Sequence, residues 1–496
     1  MAASQPTKRL IVCCDGTWLD SNNGVDVPLN PLELLSRELT GKITLQTPSN
    51  VTRICRAVKQ LDTSGGGAVQ QITYYQSGIG SQNTEDRLVG GATGFGLAEH
   101  IREAYQFITA NYNPAAHDEI YLIGFSRGAF TARSIASFIN DIGLLTTVGM
   151  MHFYTIFTDW ENQQKKDYKP PIADNPFPAP RPNIFTDKAR YVEKLVSLKM
   201  TTPNVKIKAV AVWDTVGSLG LPRLGIFNSM NQESIDYAFV DTSVPPMIEH
   251  AIHAVALDED RKPFMPTVWE LPQPQPGQTL TQVWFAGAHS DVGGSYDDTR
   301  AADITLAWMI SQLENYISFD HTALKRELFS PQGKEPPVPW SCGPIHNELK
   351  GIFGKAGGGQ LIRSPHEYVR YNHDTGLPYE PKQPLQQTYE KVHSSVRLRW
   401  GLKGKNPSGG EYKSSALDKW QVRGMAAQPL QDGTTVSLQQ IQQGQKNIQW
   451  RKPAPGGGYM VMQEDLLNPL EWELMNNFVP SLETKFLSVA PSAAAP

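Results

Sequence analysis

A chain of 496 residues with 40% hydrophobic content is long enough to close a full core, which excludes disorder as its main state. Its formal net charge of −4 is mild, and Lys and Arg are scattered rather than massed, so no electrostatic surface for nucleic acid is expected. No stretch approaches the roughly 18 consecutive apolar residues of a membrane span.

In chain order, residues 1–8 read as a short leader. The apolar run that follows, LIVCC, is too short for a signal peptide, so a soluble, cytoplasmic protein is expected, with peripheral contact to a membrane surface left open. Cys13, Cys14, Cys55 and Cys342 have neither the density of a disulfide scaffold nor the paired spacing of a zinc site, and read as free, buried thiols. The run Arg9 to Cys14 has the character of a buried strand that stops at Asp15-Gly16-Thr17-Trp18. Val51 to Leu61 has helical spacing, the glycines Gly65 to Gly67 break it, and Ile72 to Gln76 reads as a second strand. Leu97, Ile101, Ala104, Tyr105 and Ile108 recur at i+3 and i+4, which predicts an amphipathic helix after the Gly-rich GGATGFG, ending near Asn113-Pro114. A strand over Glu119 to Ile123 leads to Ser126 and a helix over Ala129 to Ile139.

The connection 146–204 carries Met150, Met151, Phe153, Tyr154, Ile156, Phe157 and Trp160 among prolines. It suits either a lid over an apolar acyl site or an insertion packed on the surface, and Leu219 to Val240 is a second stretch fit for a lid. Three more apolar strands follow, Lys206 to Asp214, His253 to Asp260 and Gln282 to Asp291, then a helix over Ala301 to Leu313. Near-continuous apolar strands separated by helices predict a parallel sheet covered on both faces. The expected architecture is α/β, a mostly parallel sheet of α/β-hydrolase type flanked by helices over residues 9–329. Residues 330–488, rich in Pro, Gly and Gln, read as an accessory region with strand-like pieces at Val396 to Trp400, Thr435 to Leu438, Ile448 to Arg451 and Tyr459 to Met462. Residues 489–496 read as a disordered tail.

Gly124-Phe125-Ser126-Arg127-Gly128 sits between an apolar strand and a helix, the context in which a sharp turn lifts a serine hydroxyl above the sheet. The bland alternative is a small-residue turn with a solvated serine. A hydroxyl needs a base to take its proton and a carboxylate to orient that base, in the chain order Ser, acid, His. His289, in a Gly-rich segment after a late strand, fits the base. His250 and His253 suit structural roles, and His393 is a lesser rival. Asp214, at a strand-to-loop break, is the favoured acid, with Asp258 the alternative, Asp260 similarly placed, and Asp291 positioned to help the imidazole locally. The oxyanion requires aimed donors. The backbone amide of Arg127 is one, and the Gly16 and Thr17 turn is the natural source of the other, unless it is an ordinary turn.

Seven ordered segments, CDGTW (Cys14 to Trp18), PSNV (Pro48 to Val51), YYQSGIGS (Tyr74 to Ser81), GFSRGAFTAR (Gly124 to Arg133), WDTVGS (Trp213 to Ser218), ALDEDR (Ala256 to Arg261) and WFAGAHSDVGGSY (Trp284 to Tyr296), resemble the type VI secretion phospholipase effector-like α/β hydrolases of bacteria and fungi. The resemblance implies a Ser-Asp-His serine hydrolase acting on carboxylic esters, with lipid or phospholipid acyl esters as substrates; no cofactor or metal is expected. Its residue roles fall on Ser126, Asp214 and His289. Three rival readings stand beside it. One is a haloacid dehalogenase-like phosphatase using Asp15, which lacks the second acid because Thr17 stands two positions on. Another is a metal hydrolase built from His289, Asp291 and Asp258. The third is a catalytically silent α/β-hydrolase-fold binding module. Oligomeric state is not readable from the sequence.

Overall fold

A computed structural model of the chain describes residues 7–16, 47–78, 97–178, 180–216, 242–329, 338–348, 359–371, 378–429, 436–478 and 482–490. Thr17, the GGATGFG segment and Leu219 to Val240 lie outside the described residues.

The first strands are β1 (Lys8–Cys14), β2 (Leu61–Asp62), β3 (Val69–Gln76) and β4 (Glu119–Phe125), with helices α1 (Asn50–Ala57), α2 (Leu97–Asn111) and α3 (Arg127–Ile142) between or after them. The Ser49 hydroxyl caps α1 by accepting from the Thr52 amide. After the short pair β5 (Leu144–Leu145) and β6 (Thr201–Thr202) come β7 (Ile207–Trp213), β8 (Ile248–Ala256) and β9 (Thr279–Phe285). The strands β10 (Glu390–Val392), β11 (Gln421–Arg423), β12 (Gln449–Pro453) and β13 (Tyr459–Glu464) complete the set. The described residues form one eleven-stranded sheet in the order β11-β12-β13-β10-β9-β8-β7-β4-β1-β3-β2. Strands β3, β1, β4, β7, β8, β9, β10 and β13 pair in parallel, and antiparallel pairing is confined to the two edges. This is the mostly parallel α/β sheet that the apolar runs predict.

Alternation explains why those runs are continuous. Leu10 and Val12 of β1, Ile120 and Leu122 of β4, and Val210 and Val212 of β7 face one core, packed under α2 and α3. Ile11 and Cys13, Tyr121 and Ile123, and Ala209, Ala211 and Trp213 face the other. Both faces are dry, so neither parity can be polar. Of the four cysteines, Cys13 and Cys14 are buried while Cys55 and Cys342 are partly exposed, and all are free.

The connection 146–204 holds three helices, α4 (Thr147–Met150), α5 (Phe153–Glu161) and α6 (Lys188–Ser197). Phe153, Phe157 and Trp160 pack on Phe138 of α3, and the Trp160 indole donates to Asp141 at 2.8 Å. Phe138 stands twelve residues beyond Ser126, about 18 Å along a helix axis. Asp159, Arg181, Tyr168 and Tyr191 tie the segment internally. Its anchored part therefore packs at the end of α3 remote from Ser126, as an insertion does.

Two differences concern the C-terminal third. Residues beyond 329 are not set apart from the sheet: β10 pairs with β9, and β13, β12 and β11 extend it further. These strands are three to six residues long and separated by Pro- and Gly-rich turns, which hides their continuity. Val396 to Trp400 is not strand but lies in α10, the helix Ser394–Gly401, counting α7 (His289–Gly293), α8 (Arg300–Leu313) and α9 (His321–Leu328) before it. Its apolar Val396, Leu398 and Trp400 alternate with Arg397 and Arg399, which mimics a strand period. Both arginines are buried instead, Arg397 on Glu464 and Arg399 on the carbonyls of Ser341 and Gly343. Leu438 likewise opens a helix, α11 (Leu438–Gln445), capped by Ser437 with Gln440, and α12 (Pro469–Phe478) closes the fold.

Candidate functional site

Ser126 occupies the turn between β4 and α3 with φ 58° and ψ −122°, a left-handed conformation that a side chain other than glycine's rarely accepts. Two close approaches hold it there. A Cβ at Gly124 would meet the Gly128 carbonyl at 2.5 Å, and a Cβ at Gly128 would meet the Cys14 carbonyl at 2.1 Å. The first turn of α3 is thereby pressed onto the end of β1, and the Ser126 amide donates to the Trp213 carbonyl at 3.1 Å. Ser126 is 6% exposed.

Asp214 follows β7 directly and also has a positive φ, 36°. Its carboxylate is fully buried and saturated. Oδ2 accepts His289 Nδ1 at 2.6 Å and Arg363 Nη2 at 2.9 Å, while Oδ1 accepts Arg363 Nη1 at 2.5 Å and the Ala256 amide at 2.9 Å. Burial pushes its pKa up, but the Arg363 charge and the hydrogen bonds from His289 and Arg363 outweigh it and hold the carboxyl well below the usual range. A carboxylate partner requires Nδ1 to carry a proton, which leaves Nε2 as the basic nitrogen.

His289 opens α7. Its ring lies 4.6 Å from Phe125, the residue before Ser126, and 5.1 Å from Phe264 in an edge contact. Nε2 is buried and has no hydrogen-bond partner among the described residues. Burial lowers the His289 pKa and the Asp214 hydrogen bond and charge restore only part of it, so the imidazole is neutral at pH 7. The His289 amide donates to Glu259 at 3.2 Å, and Glu259 is paired through two contacts of 2.8 Å with Arg261. The carboxyl ends of β4, β7 and β9 thus bring Ser126, Asp214 and His289 to one edge of the sheet, where ligands of open α/β sheets bind.

The other sequence candidates have other partners. Asp258 Oδ2 accepts the Gly287 amide at 2.7 Å and the Tyr412 hydroxyl at 2.8 Å, and no hydrogen bond joins it to His289. Asp291 accepts the amides of Ala288 and His346 and pairs with His346 Nδ1 at 2.7 Å. Asp260 meets Gln360. His289, Asp291 and Asp258 therefore point to three different partners. Among the described residues no group of three or more His, Cys, Asp or Glu could hold a metal ion. His253 is buried, accepts the Thr215 amide at 3.1 Å, and is pushed down to about 3 by burial. His250 is half-exposed beside Thr279. His393 is wholly buried between Ser395 and Glu471.

Asp15 accepts the hydroxyls of Ser49, Thr52 and Tyr75 at 2.7 to 2.9 Å on one oxygen and the Gly16 amide at 2.7 Å on the other. Burial raises its pKa against those hydrogen bonds. It is a buried strut for the β1 turn, with both carboxylate oxygens tied to neighbouring groups of the fold. The Gly16 amide is committed to Asp15, and the Arg127 amide stands directly after Ser126 at the start of α3.

Arg363 and Glu259 were not singled out by sequence reasoning. Glu259 stands in ALDEDR between two other acids, and nothing in LIRSP around Arg363 marks it as buried.

The family described as "T6SS, Phospholipase effector Tle1-like, catalytic domain" matches residues 8–312. An uncharacterized protein of Saccharomyces cerevisiae, YEL023C, is 28% identical over 275 residues, 53% of this chain and 32% of the relative, so the chain spans about a third of that relative's length. The structure of the Tle1 effector bound to the VgrG spike from the Type 6 secretion system aligns at 15% identity and a TM-score of 0.30, covering 59% of this chain and 52% of that one. An uncharacterized protein from Pseudomonas aeruginosa aligns at 15% identity and the same TM-score, 0.30, covering 62% of this chain and 45% of that one.

Proposed function

The chain belongs to the Tle1-like phospholipase effector family of catalytic domains, and from that premise we propose that it hydrolyses acyl esters of lipids through an acyl-enzyme on Ser126. The observation that carries the reading is the 2.6 Å contact of His289 Nδ1 with Asp214, which leaves Nε2 as the free base at the sheet edge that also presents Ser126.

Ser126 Oγ attacks the ester carbonyl as His289 Nε2 takes its proton, forming a tetrahedral oxyanion. The Arg127 amide at the start of α3 donates to that oxyanion. Collapse expels the alcohol, which leaves with the proton from His289, and a water activated by the same nitrogen releases the fatty acid. Asp214 holds the imidazole in the Nδ1–H tautomer and balances the imidazolium charge as it forms. Among the described residues no helix is long and apolar enough to cross a membrane.

Purified protein and its Ser126→Ala variant are compared on short- and long-chain acyl esters and on phospholipid vesicles. Release of fatty acid by the native chain alone, with fluorophosphonate labelling at Ser126, is the expected result. A folded native chain that cleaves none of these and takes no label leaves the fold as a binding module.

A further inference from the structure

Asp214 has a partner from far outside the matched catalytic span. Arg363 lies beyond residue 312, is 1% exposed, and places both terminal nitrogens on the Asp214 carboxylate, at 2.5 and 2.9 Å. The same two nitrogens donate to the carbonyls of Ala256, at 2.6 Å, and Phe264, at 2.7 Å. Ala256 ends β8, and Phe264 sets its ring against His289. One guanidinium therefore fixes the acid, the strand end beside it, and the turn that walls the base. Only a planar fork with several donors can make all four contacts, and an ammonium cannot.

A carboxylate that orients a histidine in a dry site carries a tension. Uncompensated, it would bind the imidazole proton too strongly and hold the base charged; overcompensated, it could not stabilise the imidazolium formed in the transition state. Resting on the Ser126, Asp214 and His289 reading, we propose that Arg363 is a positioning residue which locks the Asp214 carboxylate in its orientation and tempers its charge, so that His289 works as a neutral base. The C-terminal region is then part of the catalytic unit. Among the described residues, the other charged or titratable groups that face this cluster are Glu259 with its partner Arg261, Asp260 within the field of Arg363, Glu348 beside Arg261, His253 behind Thr215, and Tyr368 near Arg363. Glu259 and Arg261 largely cancel, which leaves Arg363 as the cation in direct contact with Asp214.

The test uses the full chain with Arg363→Lys and Arg363→Gln, measured for kcat, KM and the pH dependence of kcat/KM on a soluble acyl ester, beside Ser126→Ala. Arg363→Lys keeps the charge and loses the fork; kcat should fall by about 10- to 100-fold with KM little changed and the acid limb in place. Arg363→Gln loses the charge as well, and its acid limb should move to higher pH, because the Asp214 anion then acts on His289 unopposed. If Arg363→Gln does not fold, the doubly neutral Asp214→Asn/Arg363→Gln chain decides. Recovery of the fold in the double variant shows that Arg363 answers the Asp214 charge. Unfolding of both, or a native kcat and pH profile in either single variant, overturns the proposal. Full activity in Ser126→Ala strikes the triad reading itself, whereas an inactive Ser126→Ala beside a native-like Arg363→Lys strikes Arg363 alone.

Discussion

His289 and Asp214 stand 75 residues apart in sequence and 2.6 Å apart in space, and the contact takes up Nδ1 while Nε2 stays buried without a hydrogen-bond partner among the described residues. A buried imidazole nitrogen left unpaired costs stability unless something uses it. That imbalance sits one residue from the strained Ser126 turn, because the His289 ring packs on Phe125. Stability spent on unpaired and strained groups at one place is the usual mark of a reacting centre.

Ser126→Ala should lower kcat by on the order of 10⁴- to 10⁶-fold. Ser126→Gly should be equally inactive yet more stable than the native chain by about 1 kcal/mol, since glycine adopts φ 58° without strain. Thermal melting of both variants separates the two effects. A glycine variant that melts below the native chain would sink the strain argument.

Asp214→Asn should cost about 10⁴ in kcat with little structural change at the imidazole, because a neutral amide does not enforce the Nδ1–H tautomer. In the native chain the acid limb of kcat/KM should fall below the ordinary histidine value of 6.5, since burial dominates the His289 shift. Stability follows with a definite sign. The depressed Asp214 pKa contributes stability above the ordinary carboxylate range, and this is lost as pH falls through the folded value. His289, whose folded pKa is also lowered, must give up its buried neutral state as pH drops below 6.5, which acts in the same direction. The melting temperature should therefore decline from about pH 7 towards about pH 4. A flat or rising profile over that range would sink the His289 assignment, whereas the loss owed to Asp214 comes on further acidification, below the ordinary carboxylate range.

Much of this was legible in the residues. β1, β4 and β7 are runs of mostly apolar residues because both faces of the sheet are covered, and the break in the apolar run at the carboxyl ends of β4 and β7 marks where Ser126 and Asp214 sit. The pairing of His289 with Asp214 was legible, although His289 opens a five-residue helix rather than a loop. Arg363 was not. Its importance comes from four acceptors supplied by residues 99 to 149 positions away, and no local pattern encodes such a contact. The C-terminal strands were obscured for a related reason: three residues such as Glu390–Val392 carry no period of their own and become strand only by pairing with β9 and β13.

That pairing gives a prediction for truncation. A chain ending at residue 329 keeps the whole matched family span but leaves the edge of β9 unpaired and Asp214 without Arg363. Removing one partner of a buried ion pair typically costs about 3–5 kcal/mol, a large share of a domain's net stability. The truncated chain should aggregate and take no fluorophosphonate label, as read by gel filtration and active-site labelling. A soluble, labelled fragment would show that the C-terminal strands are dispensable.

His393 distinguishes a histidine that holds the fold from one proposed to do chemistry. Its Nε2 meets Glu471 at 2.7 Å, its Nδ1 meets Ser395 at 2.8 Å and caps α10, and its ring stacks on Phe285 at 4.6 Å. On paper, Ser395, His393 and Glu471 form a serine, histidine and acid array like the one at the site. Here the imidazole caps the first turn of α10, and Ser395 lies inside that helix without the positive φ that sets Ser126 on a turn. His393→Ala takes the partner of Glu471 Oε1, leaving only the Asn468 contacts on Oε2, and removes a cap, which should cost about 1–3 kcal/mol. Below the lowered melting point the folded molecules should keep nearly the native kcat per labelled Ser126. His289→Ala should behave in the opposite way, losing turnover by several orders of magnitude while melting close to the native temperature. Measuring melting and active-site-normalised kcat for the two variants side by side tests both assignments, and an exchange of the two outcomes would place the base at His393.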